Sequence, residues 1–231
     1  MTEDRLASGA GIRFTGPRDG LVVLCVNGGT GRERPGTWSA SVEHVVRNSA
    51  PRVPDVGWAE VRYRVRSWRR IDQCIEDAAA ALDVVASRGA DRIVMLGYSM
   101  GAIVSCATAG HELVRHVIGL APWLPNEVDV SGMRHRHFTV FHGSLDRNLP
   151  GIPGVHPDSS RRGLARVVAA GATGTHTLIP GAVHPIALRA PWGAALPMPR
   201  AAEWVHRVVD TVAEIAAGSP PAGQGSAPAS L

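Results

Sequence analysis

The chain has 231 residues, 45% of them hydrophobic and 19% charged, which is a globular composition and excludes a largely disordered protein. Its formal net charge is +4, and every one of its 24 basic residues is arginine. Because most of them are interleaved with Asp and Glu, the charge does not predict nucleic-acid binding. We interpret the densest basic stretch as a solvated surface, with recognition of a phosphate or carboxylate as the alternative. Its members are Arg62, Arg64, Arg66, Arg69 and Arg70.

The cysteines and the apolar runs limit the environment of the protein. Cys25, Cys74 and Cys106 lie in apolar stretches without a CxxC spacing, which predicts buried free thiols rather than a zinc or redox site. No apolar run reaches 18 residues, and the acidic N-terminal residues do not resemble a signal peptide. We therefore expect a cytoplasmic protein that does not enter a membrane.

Along the chain, short apolar runs that predict strands alternate with apolar residues spaced three or four apart, which predict helices. The first twenty residues show little periodicity and predict no element. The predicted elements, in chain order, are a strand at 21–26, a helix at 38–46, a strand at 61–65 with one polar face, a helix at 71–85, a strand at 93–96, a helix at 102–110, strands at 117–121 and 138–141, a helix from 158, a strand at 175–179 and a helix at 204–215.

This alternation predicts an α/β fold with a mostly parallel central sheet and helices on both faces. We expect one domain over residues 1–217, followed by a disordered tail at 218–231, where the sequence is rich in Gly, Pro and Ser. Ligands bind at the carboxyl ends of the strands in such sheets, so we expect the functional residues there.

Gly97-Tyr98-Ser99-Met100-Gly101 is a G-x-S-x-G motif between a predicted strand and a predicted helix. That context is typical of a nucleophile elbow, in which a sharp turn presents a serine at the N-terminus of a helix. We expect Ser99 to have a strained backbone. We also expect the flanking glycines to be required, because side chains there would collide with the neighbouring strand and helix.

A nucleophilic serine needs a histidine base, and the base needs an orienting carboxylate. Asp146 follows the fifth predicted strand and His184 follows the last, so both are predicted at the same sheet edge as Ser99. Asp129 is an alternative acid, because it follows the strand before.

Three further histidines, His135, His137 and His142, precede Asp146. No carboxylate or thiolate stands at ligand spacing from them, so we interpret them as polar residues that flank a strand, with a metal site as the alternative. His142 is close enough to Asp146 in sequence to shape its surroundings. We expect neither a metal nor another cofactor.

The motif and the order serine, aspartate, histidine make residues 20–216 resemble the α/β-hydrolase fold superfamily. The resemblance implies a nucleophile, a general base and an orienting acid, which are Ser99, His184 and Asp146 respectively. It also implies an oxyanion hole of backbone N–H groups. The candidate donors are Met100, Gly29 and Gly28.

Too few residues lie between 124 and 138 for the helical cap that many members of this superfamily insert. In its lidless build the chain resembles dienelactone hydrolases and small carboxylesterases, and we expect an open site beneath the segments 148–157 and 189–199. The candidate substrate-binding residues are Trp123, Asn27, Tyr98 and Leu149. Asn27 stands where many members have histidine. Two other tryptophans, Trp38 and Trp204, are predicted in the core.

These features predict a serine hydrolase that cleaves a carboxylic ester or thioester of a small-molecule acyl substrate through an acyl-enzyme. Dienelactone hydrolases use a cysteine nucleophile, so the serine favours esterase or thioesterase chemistry. One alternative is a non-hydrolytic enzyme of the same fold, such as a cyclase, lyase or acyltransferase in a biosynthetic pathway. A non-catalytic binding protein is disfavoured, because binding alone does not require the ordered serine, aspartate and histidine.

Overall fold

The computed structural model describes residues 3–147 and 154–218. Its strands are β1 (Glu3–Arg5), β2 (Gly11–Thr15), β3 (Gly20–Val26), β4 (Gly57–Arg62), β5 (Ala90–Tyr98), β6 (Val114–Leu120), β7 (His137–Gly143), β8 (Thr173–Ile179), β9 (Ala187–Arg189) and β10 (Ala195–Pro197). Its α-helices are α1 (Ala40–Ser49), α2 (Ile71–Ser87), α3 (Gly101–Thr108), α4 (Pro157–Ala169) and α5 (Ala201–Ala216).

Strands β1 to β8 form one sheet in the order β1-β2-β4-β3-β5-β6-β7-β8, and β9 and β10 form a separate antiparallel pair. The six strands from β4 to β8 in that order are mutually parallel, whereas β2 is antiparallel to both β1 and β4. The predicted mostly parallel sheet is therefore confirmed. The carboxyl ends of β3, β5, β7 and β8 share one edge, which is where the predicted functional residues follow their strands.

Helices cover both faces of the sheet, as predicted. Apolar residues of α2, α3 and α4 are buried against one face, and those of α1 and α5 against the other. On α5, Trp204, Val208 and Val212 stand four residues apart and are fully buried, so the predicted core position of Trp204 is confirmed. The described residues contain no helical cap inserted between β6 and β7.

Four strands were not predicted, namely β1 and β2 of the main sheet and the separate short pair β9 and β10. β1 is only three residues long and mostly exposed, so it carries no apolar signal. β2 buries Ile12 and Phe14, which alternate with Arg13 and Thr15, but this period-two pattern is short and begins at a glycine. β1 is the edge strand of the sheet and β2 lies next to it, and short strands with polar residues are common at such edges.

The predicted strand at 61–65 was wrong in its bounds and in its polar face. β4 ends at Arg62, and its residues 57–61 are all buried, so side chains on both of its faces are shielded from water. Its polar residue Glu60 is 3% exposed and binds Arg13 through two hydrogen bonds of 2.8 and 2.9 Å. The buried carboxylate is thus accommodated by an arginine on the adjacent strand.

The three cysteines are free and buried, as predicted. Burial raises the pKa of Cys74 and of Cys106 to about 12, which makes both thiols unreactive. None of the helices in the described ranges is long and apolar enough to cross a membrane. The predicted tail, apart from Gly218, lies outside the described residues.

Candidate active site

Ser99 lies in the tight turn between β5 and α3 and has a left-handed backbone with φ of +54°. A side chain at Gly97 would collide with the backbone of Ala102, and one at Gly101 would collide with the carbonyl oxygen of Val26. The strained serine and the steric need for both glycines are therefore confirmed. The turn places Ser99 at the carboxyl edge of the sheet.

The histidine and aspartate that follow β8 and β7 reach this serine. Nε2 of His184 lies 3.1 Å from Oγ of Ser99, and Nδ1 of His184 lies 2.7 Å from Oδ2 of Asp146. Because a carboxylate only accepts hydrogen bonds, Nδ1 carries the proton and Nε2 is left to accept one from Ser99. His184 is 9% exposed and Asp146 is 2% exposed, so the chain of hydrogen bonds is largely shielded from water.

Asp146 receives hydrogen bonds from more than one neighbour. Its Oδ2 lies 3.0 Å from Nε2 of His142, and its Oδ1 accepts from the backbone N–H of Val155 at 2.8 Å. Burial alone would raise the pKa of Asp146, but the hydrogen bonds from His142, His184 and Val155 together hold that pKa below its ordinary value. Asp146 is therefore a carboxylate at neutral pH.

The loop after β3 passes beside the serine. A Cβ at Gly28 would lie 3.2 Å from Cβ of Ser99, and one at Gly29 would collide with Met100 and with the ring of Trp68. The Gly28 N–H donates to the side-chain oxygen of Asn27 at 2.6 Å, so it already has a partner. Within the described residues the N–H groups of Gly29 and Met100 have none, which leaves these two as candidate oxyanion donors.

Asn27, at the start of this loop, is 4% exposed and stabilises it through hydrogen bonds. Its amide nitrogen donates to the carbonyl oxygen of Thr37 at 3.1 Å, while its side-chain oxygen accepts from Gly28. The hydroxyl of Tyr63 donates to the Asn27 carbonyl oxygen at 3.0 Å. The side chain that stands at the position of the superfamily's common histidine thus fixes the glycine turn.

A cavity of about 590 Å³ opens over Ser99 and His184, a size typical of a small-molecule site. Trp123 and Tyr98, both predicted substrate-binding residues, line it. The Tyr98 hydroxyl also donates to the carbonyl oxygen of His184 at 3.3 Å, which supports the histidine loop. Leu149, the remaining candidate of that group, lies outside the described residues, whereas Gly154 from the same segment lines the cavity.

The predicted core position of Trp38 was wrong. Trp38 precedes α1 rather than lying on it, is only partly buried and lines the cavity. The guanidinium of Arg13 stacks on its ring at 4.3 Å from the centroid, which holds the ring at the cavity wall. The periodicity at 38–46 included Trp38 because it stands four residues before a buried valine, although the helix begins two residues later at Ala40.

Several sequence candidates lie elsewhere. Asp129 is exposed and accepts hydrogen bonds from the backbone N–H and hydroxyl of Ser131, so it caps a local turn rather than meeting His184. His137 is buried at the start of β7 and contacts the hydroxyl of Thr173 at 2.9 Å. His135 is in the turn before β7. No group of three or more potential metal ligands occurs in the described part of the chain.

A second serine–histidine contact joins Ser160 of α4 to His176 of β8, with 2.8 Å between Oγ and Nε2. Ser160 is fully buried and its hydroxyl donates to the Pro157 carbonyl oxygen at 2.8 Å. Burial, with the nearby His142 and Arg161, lowers the pKa of His176 to about 4. Because neither residue lines the cavity, this pair has no access to a substrate.

Trp68, Arg66 and Arg189 line the cavity, although none of them was a candidate substrate-binding residue. Arg66 belongs to the basic stretch for which recognition of a phosphate or carboxylate was the alternative interpretation. Trp68 packs against Trp123 with ring centroids 5.8 Å apart. Arg189 begins the segment that was expected to roof the site, and its guanidinium pairs with Glu43 at 2.9 Å. The signal for Trp68 and Arg66 was weak, because both lie in a loop of alternating basic and bulky residues before α2.

Neither a protein-family model nor a curated protein matches the chain. Solved structures do resemble it, among them Est1E from Butyrivibrio proteoclasticus with ferulic acid bound, which has a TM-score of 0.65 at 12% identity over 93% of this chain and 98% of that one. A serine hydrolase homologue from Coxiella burnetii has a TM-score of 0.61 at 15% identity, over 90% and 95% of the two chains. A sugar hydrolase from Lactococcus lactis has a TM-score of 0.68 at 13% identity, over 94% of this chain and 98% of that one.

Identities this low carry the fold and not the activity. The likeness extends over nearly the whole chain, and the eight-stranded sheet places the serine turn directly after β5. The protein therefore has the α/β-hydrolase fold.

Proposed function

We propose that the protein is a serine hydrolase that cleaves a carboxylic ester or thioester through an acyl-enzyme on Ser99. The observation that carries this proposal is the continuous hydrogen-bond chain from Ser99 Oγ through His184 to Asp146, at 3.1 and 2.7 Å. It stands at the floor of a cavity large enough for a small acyl compound. The structural neighbour from Coxiella burnetii, which is named as a serine hydrolase homologue, is consistent with this chemistry.

In the acylation step, Oγ of Ser99 attacks the acyl carbon while Nε2 of His184 takes the hydroxyl proton. The carbonyl electron pair moves onto oxygen, and Asp146 stabilises the positive imidazolium that forms. When the tetrahedral intermediate collapses, the bond to the alcohol or thiol breaks and the leaving group takes the proton from Nε2. The acyl group is then esterified to Ser99.

Deacylation repeats the sequence with water as the nucleophile. His184 takes a proton from water as the water oxygen attacks the acyl carbon, and it returns that proton to Oγ of Ser99 when the carboxylic acid leaves. In both steps the developing oxyanion is stabilised by the N–H groups of Gly29 and Met100. One such donor contributes about 3–4 kcal/mol of barrier lowering in a serine hydrolase.

The proposal is tested by steady-state hydrolysis of 4-nitrophenyl esters of increasing chain length and of matched N-acetylcysteamine thioesters. Ser99→Ala is expected to lower kcat/KM by about 10³-fold or more, because it removes the nucleophile. Ser160→Ala is the matched control, since that serine also contacts a histidine but is buried away from the cavity, and we expect its kcat/KM to stay within about twofold of wild type. Full activity in Ser99→Ala would contradict the proposal.

A further inference from the structure

The cavity wall combines large aromatic side chains with positive charges. Three tryptophans, Trp38, Trp68 and Trp123, line it, and its described lining residues include no Asp or Glu. Its two arginines are Arg66 and Arg189. Arg189 pairs with Glu43, a carboxylate that also contacts Arg13 and Arg47, whereas Arg66 has no carboxylate partner within the described residues.

Two of the five arginines in the basic stretch between residues 62 and 70, Arg66 and Arg69, form no ion pair within the described residues, and of these two only Arg66 lines the cavity. The other three have carboxylate partners, and the pairs join Arg62 to Glu3, Arg64 to Glu76 and Asp77, and Arg70 to Glu33. Most of this stretch is therefore charge-matched surface, and Arg66 is the member that faces the cavity.

The backbone around Arg66 is held firmly. Its N–H donates to the carbonyl oxygen of Arg34 at 2.8 Å, and its own carbonyl oxygen accepts from the hydroxyl of Thr30 at 2.9 Å. Within the described residues the side chain makes one hydrogen bond, from Nη1 to the neutral hydroxyl of Thr37 at 3.2 Å. The guanidinium is thus positioned at the cavity without an anion to balance it.

Elsewhere in this protein a guanidinium holds a carboxylate with two of its nitrogen atoms. Arg13 uses its Nε and Nη2 atoms to hold both oxygens of Glu60. The Nε of Arg66 is buried, and within the described residues it has no hydrogen-bond partner. Burial, followed by the nearby charge of Arg34, lowers the pKa of Arg66, as expected for a cation that has left water without gaining a counter-charge.

We propose that Arg66 binds an anionic group on the substrate, so that the cavity takes an ester or thioester bearing a carboxylate or a phosphate. A planar guanidinium binds either group with two parallel hydrogen bonds. The tryptophans accommodate the apolar part of the same molecule beside Ser99. That the bound compound is hydrolysed rests on the proposed function. That Arg66 binds its anionic group does not.

The first experiment compares matched substrates with and without charge. Mono-4-nitrophenyl adipate and 4-nitrophenyl hexanoate have acyl chains of equal length and differ in one terminal carboxylate. Butyryl-coenzyme A and S-butyryl-N-acetylcysteamine provide the phosphate-bearing arm. In wild type we expect kcat/KM for the anionic member of at least one pair to exceed that of the neutral member by about tenfold or more, with the excess falling as salt is added. The arm in which this excess occurs identifies the anion.

Arg66→Gln is expected to remove that preference, because it raises KM for the anionic substrate about tenfold more than KM for the neutral substrate. Arg69→Gln is the matched control, because Arg69 belongs to the same stretch and does not line the cavity. A wild-type enzyme that hydrolyses the neutral substrates without any preference for either anion would overturn the inference. An anionic preference that survives Arg66→Gln would do the same.

Calorimetry separates this inference from the proposed function. Ser99→Ala protein should bind mono-4-nitrophenyl adipate or butyryl-coenzyme A about tenfold more tightly than Ser99→Ala/Arg66→Gln protein, whether or not the wild type turns over esters. Equal affinity of the two proteins for both compounds would refute the role of Arg66. An absence of esterase activity in wild type, combined with Arg66-dependent binding, would refute only the hydrolase proposal.

Discussion

Nε2 of His142 lies 3.0 Å from Oδ2 of Asp146, the same oxygen that contacts His184. Nε2 of His142 also lies 2.7 Å from the carbonyl oxygen of Val155. Both neighbours are acceptors, so Nε2 carries the proton, and Nδ1 is buried with no hydrogen-bond partner in the described residues. His142 thereby links the Asp146 carboxylate to the backbone of Val155, just before α4.

We expect His142→Leu to lower kcat about tenfold with little change in KM, because loss of a hydrogen bond to a charged group costs about 1.5–3 kcal/mol and Asp146 would orient His184 less well. His142 acts here as a positioning residue, and the conservative variant tests that role. The amide N–H of His142→Gln can still donate to Asp146, so it should recover most of the lost kcat. Equal loss in both variants would instead indicate a packing role alone.

The glycine after Gly28 is expected to be essential for activity. In Gly29→Ala the added methyl group collides with Met100 and Trp68, which displaces both the loop and the donor next to the serine. We expect kcat to fall about 10²-fold, as on removal of one oxyanion donor. Gly31→Ala is the control, because its methyl group would lie 3.4 Å from the Trp68 ring, an ordinary contact. Similar kinetics of the two variants would argue against Gly29 as a donor.

Removal of one partner from the buried ion pair of Arg13 and Glu60 should cost more stability than removal of one partner from an exposed pair, because it leaves an uncompensated buried charge. The side chains are 14% and 4% exposed, so Glu60→Ala leaves an arginine with only the longer contact to Glu43 at 3.4 Å. We expect the unfolding free energy in urea to fall by about 3 kcal/mol. The exposed pair of Arg207 and Glu203 provides the comparison, and Glu203→Ala should cost about 0.5 kcal/mol or less. Equal losses would contradict this ranking.

Acid should destabilise the fold between about pH 6.5 and pH 4. Burial, with the neighbouring His137, lowers the pKa of His116 to about 4, and His176 has a similarly low pKa. In the unfolded chain both regain an ordinary pKa and bind protons first as the pH falls. Stability is therefore fully present above this window and is lost as the pH falls through it.

Urea unfolding at pH 7 and pH 5 measures this loss. The double variant His116→Gln/His176→Gln should lose less stability between the two pH values than wild type, because it lacks the groups that take up the protons. His206→Gln, at an exposed position, should behave as wild type does. A double variant with an undiminished loss would show that other groups carry the acid sensitivity.

The central part of the site could be predicted because its residues follow strand ends in a fixed order. Ser99, Asp146 and His184 each stand directly after an apolar run, and parallel strands bring such positions to one edge. The steric role of Gly97 and Gly101 could also be predicted, since a tight turn between a strand and a helix leaves no room for side chains.

The walls of the cavity could not be predicted in this way. Trp68 and Arg66 reach the cavity from a loop whose path depends on hydrogen bonds to Thr30 and Arg34, which are more than thirty residues away in sequence. The periodic spacing of apolar residues along the sequence carries no information about contacts between residues so far apart. Trp38 was assigned to the core because its spacing fits a helix that in fact begins after it. Large side chains in loops therefore have to be placed by tertiary contacts.

The most direct test of the account is to treat the protein with a fluorophosphonate and locate the adduct by intact-mass and peptide mass spectrometry. We expect one phosphonyl group per chain, on Ser99, with no labelling of Ser99→Ala and normal labelling of Ser160→Ala. An adduct on another residue, or an unlabelled wild-type protein that still hydrolyses esters, would contradict the assignment of Ser99 as the nucleophile.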